Sequence, residues 1–151
     1  MLDRAVKEHF GARCGLDELE AIASYFRRDG NLHCIYCGKD PKRWDHFHPV
    51  SRGGDTVPGN LVPACGSCDD SKGKKTLVEW AETNGKHKPS KSELHRIQAE
   101  VAAYQAHFRH QPREFDAKLS PEQAASYARF RDEIARLRSH LAREGIVKSE
   151  I

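Results

Sequence analysis

An α+β fold is predicted for this 151-residue chain: a small cysteine-stapled strand–loop–strand–helix module flanked by helical segments. Two observations predict it. Two Cys-x-x-Cys pairs, Cys34/Cys37 and Cys65/Cys68, bracket a stretch of short apolar-alternating runs and turns. On either side of that stretch, apolar residues recur at helical spacing and end in capping signals. The chain therefore divides into an N-terminal helical segment (1–30), the bracketed module (31–85) and a C-terminal antiparallel helical hairpin (86–151).

Leu16, Leu19, Ile22, Ala23 and Phe26 form one helical face, with Asp17 and Glu20 placed as a capping box and Gly30 as a stop. A shorter helical turn around Leu2, Val6 and Phe10 precedes it and breaks near Gly11. Between residues 31 and 85 the runs His33–Tyr36, Trp44–Val50 and Leu61–Ala64 read as extended. Ser51-Arg52-Gly53-Gly54-Asp55 and Pro58-Gly59-Asn60 separate them as turns. From Asp69 to about Thr83 the pattern is helical and ends at Asn84-Gly85.

Beyond a lysine-rich loop, Ser90 with Glu93 and Ser120 with Gln123 open two longer helices as capping boxes, the second with Pro121 at its first position. Leu94, Ile97, Val101, Tyr104 and Phe108 step by 3, 4, 3, 4; Tyr127, Phe130, Ile134, Leu137 and Leu141 do the same. Matching stripes predict an antiparallel hairpin. At about two heptads each, they also suit packing on the module or a homodimer.

Composition narrows the classes. No apolar run reaches membrane-spanning length, and the charged start Met1-Leu2-Asp3-Arg4 excludes a signal peptide, so a cytoplasmic setting without membrane association is expected. The whole net charge of +3 sits between Asn31 and Lys91, which points to a polyanionic partner. Cytosolic paired cysteines bind metal more often than they form disulfides. Cys34, Cys37, Cys65 and Cys68 supply four thiolates, a closed tetrahedral shell, so a structural Zn²⁺ is predicted. Cys14 reads as a small apolar residue.

Inside the bracket the order is Trp44-Asp45-His46-Phe47-His48-Pro49-Val50-Ser51-Arg52-Gly53-Gly54, then Gly59-Asn60-Leu61, then Cys65-Gly66-Ser67-Cys68-Asp69-Asp70-Ser71-Lys72-Gly73. Over about residues 33–80 this closely resembles the HNH endonuclease family and its ββα-metal fold. The resemblance implies Asp45 as a ligand of a catalytic metal, His46 as general base and Asn60 as its support. It also implies a second metal ligand at Asp69, where the family usually carries Asn or His. Asp70 is the neighbouring alternative, and both acids also suit compensation of a helix N-terminus. Two carboxylates favour Mg²⁺ or Mn²⁺. His48, Arg52 and Lys72 are candidate nucleic-acid contacts. A metal-dependent DNA endonuclease is the function expected. The alternatives are a zinc-dependent module that binds nucleic acid without cutting it and a helical interaction adaptor.

Overall fold

The computed structural model describes residues 2–146. Among these, six α-helices and two strands follow one another as α1 (Leu2–His9), α2 (Leu16–Phe26), β1 (Arg43–His46), β2 (Leu61–Ala64), α3 (Gly66–Lys72), α4 (Leu77–Glu82), α5 (Lys91–His107) and α6 (Pro121–Arg143). The α+β prediction holds. No helix among the described residues is long and apolar enough to cross a membrane.

Helix α2 buries Ile22, Ala23 and Phe26, the face its spacing predicts. Its cap differs from the expected Asp17. Gly15 takes the extended cap conformation and its N–H donates to Glu18 Oε2 at 2.9 Å. Asp17 then lies in the first turn, where a negative charge faces the positive end of the helix.

β1 and β2 pair antiparallel, with Asp45 opposite Val62 and His46 opposite Leu61. The run His33–Tyr36 is not a strand. It folds back as a turn in which Gly38 N–H donates to Cys34 O (2.8 Å) and Cys34 N–H to Lys39 O (2.8 Å). A Cys-x-x-Cys pair that turns both thiols to one point cannot stay extended. One N–H still reaches the sheet: Ile35 donates to Pro63 O at 2.9 Å.

The helix expected from Asp69 to Thr83 is two. Gly73 sits at φ +52°, a left-handed conformation that ends α3. Thr76 then opens α4, its hydroxyl accepting from Glu79 N–H while Glu79 accepts from Thr76 N–H (2.9 Å).

The chain forms two compact units, 1–115 and 116–151. The first holds one core, in which Ile22, Phe26, Tyr36, Leu61, Val62, Trp80, Ile97, Val101 and Tyr104 cluster. The α5 stripe is therefore spent on the cysteine-stapled module, and Tyr104 Oη donates to Leu61 O at 2.8 Å, tying α5 to β2. In the second unit α6 starts at the predicted Ser120 cap, with Pro121 in its first turn. The Tyr127 and Phe130 rings stack along it at 6.3 Å.

Ile97 is fully buried and Leu137 is 52% exposed, so the two stripes differ in what they hold. Ile97→Ala is expected to cost about 2–4 kcal/mol in urea unfolding, and Leu137→Ala less than about 0.5 kcal/mol. Equal effects would deny α5 its place in the core.

Candidate active site and metal centre

The four predicted cysteines converge. One ligand atom from each of Cys34, Cys37, Cys65 and Cys68 lies within 4.8 Å of the others, and Cys37 Sγ is 3.6 Å from Cys65 Sγ. Tetrahedral thiolates at the Zn–S distance of about 2.3 Å stand about 3.8 Å apart, so the donor set fits zinc and all four positions are taken by sulfur. None of the cysteines is in a disulfide. Within the cluster a hydrogen bond from Cys68 pushes the Cys34 thiol down, and the same bond holds Cys68 up. Zinc would take the place of the shared proton.

One further residue at this centre was not anticipated. His87 Nε2 lies 3.2 Å from Cys68 Sγ. The backbone carbonyl of His87 accepts from Ser71 Oγ (2.5 Å) and from Trp80 Nε1 (3.1 Å), which fixes the loop. Such a bond orients a metal-bound sulfur from outside its shell. In sequence His87 is only a histidine in a lysine-rich loop, and nothing there marks it.

Asp45 and His46 are neighbours on a regular strand, and they project to opposite sides of it. Asp45 is buried at 6% exposure. Tyr36 Oη donates to its Oδ2 at 2.5 Å and Lys72 Nζ approaches the same oxygen at 2.9 Å. Burial raises the Asp45 carboxyl above its usual range, against the opposing pull of Lys72 and of the Tyr36 hydrogen bond. Burial and the adjacent Asp45 also hold the Tyr36 phenol well up, so it stays a donor.

Lys72 departs from expectation. A phosphate contact would leave its ammonium in solvent, yet Lys72 is wholly buried, bonded to Asp45 and to His46 O at 2.9 Å. An ammonium beneath the hairpin needs such partners, because an unpaired buried charge costs several kcal/mol.

His46 is half-buried. Its Nε2 lies 2.8 Å from Thr56 Oγ1. With Arg13, Val50, Gly54 and Thr56 it lines a cleft of about 40 Å³. Thr56 meets the imidazole, one of the two contacts, imidazole or backbone, open to Asn60 as its support. The buried Asn60 instead clamps the loop backbone: its Oδ1 accepts from His48 N–H (2.7 Å), and its Nδ2 donates to His48 O (3.0 Å) and Asp55 O (2.8 Å). The glycine pair fits under that clamp. A Cβ on Gly54 would stand 1.8 Å from His48 O, so no side chain is possible there.

The other candidates are placed as follows. Asp69 and Asp70 both accept from Arg43, at 3.0 and 2.5 Å. Arg52 pairs with Glu79. His48 Nε2 lies 3.3 Å from Arg52 O, and 3.7 Å from Glu114. As to a second metal, Asp45 and Asp69 are oxygen donors of the kind that suits magnesium or manganese, while among the described residues the one cluster of three or more metal-ligating side chains is the four cysteines. Such an ion would take the places beside them that Lys72 and Arg43 occupy.

Residues 34–75 match the family model described as HNH endonuclease. The resemblance read from the motifs thus holds over the hairpin, both knuckles and α3, and it suggests nuclease activity on nucleic acid. No curated protein and no solved structure matches the chain.

The purified chain is expected to carry about one zinc, and Cys68→Ser to carry none and to lose its cooperative thermal transition. Metal analysis and calorimetry check both. A zinc-free protein that melts like the wild type would refute the structural role.

Proposed function

We propose that the chain is an HNH-type endonuclease that hydrolyses DNA phosphodiester bonds, with His46 as general base. The observation that carries this reading is the setting of His46, an imidazole held by the Thr56 hydroxyl on an open cleft. His46, Val50, Gly54 and Thr56 of that cleft lie in the stretch matching the HNH family.

In this reading the imidazole of His46, set against Thr56 Oγ1, receives the proton of the attacking water. Histidine is the side chain whose change of charge falls nearest neutral pH, which suits it to this role. The water oxygen forms the new P–O bond, the P–O3′ bond breaks, and solvent protonates the departing oxygen. Asn60 acts at a distance by fixing the loop that Gly54 and Asp55 occupy, and so the position of Thr56. Asp45 and Asp69 would hold a divalent ion, which when bound supplies positive charge to the phosphate. The reduced thiols suit the cytosol, where we place the protein.

The buried Asp45–Lys72 pair favours a second reading, a zinc-dependent nucleic-acid-binding module without catalysis, because Asp45 already has its cation. Supercoiled plasmid incubated with magnesium or manganese separates the two. Wild type is expected to nick it, and His46→Ala to nick at least about a hundredfold more slowly. Binding without nicking under either ion would establish the second reading.

One such site cuts one strand. We propose that the α6 stripe, exposed at Leu137, pairs two copies through the C-terminal helices. Light scattering is expected to give about twice the 17.1 kDa chain mass, and Leu137→Glu to return it to one chain. A wild-type monomer at tens of micromolar would remove the dimer.

A further inference from the structure

The cleft at His46 has one wall from outside the matched residues. Residues 12–14 run beside Thr56: Thr56 N–H donates to Ala12 O (2.9 Å) and Cys14 N–H to Thr56 O (2.7 Å). Ala12 N–H donates to Asp55 Oδ1 at 2.8 Å. Arg13 is the bridge partner of Thr56, the residue whose hydroxyl meets His46. Two backbone–backbone bonds and one from the Ala12 N–H to the Asp55 carboxylate therefore set the Arg13 Cα against this loop.

The side chain of Arg13 is exposed, lines the same cleft as His46, and has no hydrogen bond or ion pair among the described residues. Five other arginines of this unit are spent, and Arg109 and Arg113 do not line the cleft. Arg27, Arg28, Arg43, Arg52 and Arg96 each pair with a carboxylate. The cleft, at about 40 Å³, is large enough to admit a water or a phosphate oxygen.

We propose that Arg13 binds a non-bridging oxygen of the phosphodiester that His46 attacks, so that the N-terminal segment completes the site. The assignment rests on the nuclease reading given above. A planar guanidinium suits phosphate oxygens, offering paired N–H donors, and its contact strengthens as charge develops on the phosphorus oxygens. It contacts the backbone only, so its loss should weaken every sequence alike.

The test has two arms. In plasmid nicking, Arg13→Ala is expected to be about a hundredfold slower than wild type, while Arg13→Lys keeps much of the rate. In DNA binding on the His46→Ala background, adding Arg13→Ala should lower the slope of log affinity against log salt by about one. An unchanged melting temperature in Arg13→Ala shows that the exposed side chain serves binding, not folding. Wild-type nicking and an unchanged salt slope in Arg13→Ala, with His46→Ala inactive, would overturn this assignment alone. Wild-type nicking by His46→Ala would instead overturn the general-base reading, whatever Arg13→Ala does.

Discussion

Four sulfurs drawn to one point govern the arrangement of this protein. Cys34 and Cys37 come from a turn before β1, and Cys65 and Cys68 from the end of β2 and the first turn of α3. Their convergence closes the hairpin at its base and sets where α3 begins. A sheet of two four-residue strands is marginal by itself. Here it is cross-linked below by thiols and covered by α2, α4 and α5, whose Phe26, Trp80 and Tyr104 reach the same core. Everything chemical is arranged on that short support.

The support sorts two adjacent residues into different environments. Strand alternation sends Asp45 inward, to Tyr36 and to a lysine with no exposed surface, and His46 outward to a cleft. The inward side is a closed polar network, stable because each charge is matched and hydrogen-bonded. The outward side holds an imidazole against a hydroxyl and leaves room for small groups. A charged ligand for Asp45 must replace an internal ion pair, whereas a ligand for His46 needs only to enter an open rim. The two halves of the expected site therefore have different costs of occupation.

The segment before the first knuckle packs against the loop that meets His46. Thr56 orients His46, and Ala12 and Cys14 hold Thr56. The loop is then fixed from both sides, by Asn60 within the module and by an added strand-like contact from the N-terminus. Helix α5, although distant in sequence, presses on β2 through Tyr104 and Leu61. The flanking helices are parts of the framework that keeps the loop still.

The sequence by itself determined the cysteine staple, the hairpin it encloses, the capped starts of α5 and α6, and the HNH-like order of residues between the knuckles. These are local matters of spacing and backbone chemistry, and Cys-x-x-Cys, Ser-x-x-Glu and Gly-Gly carry them within a few residues. Only the tertiary structure decided that Lys72 is buried against Asp45, that Thr56 meets the imidazole while Asn60 takes the loop backbone, and that His87 meets Cys68. It also put the α5 stripe into the core and Arg13 at the cleft. Each of these pairs residues far apart along the chain or on different elements. Helical or strand periodicity states which face a residue occupies but not what that face meets, and a buried lysine has the same letter as a solvated one.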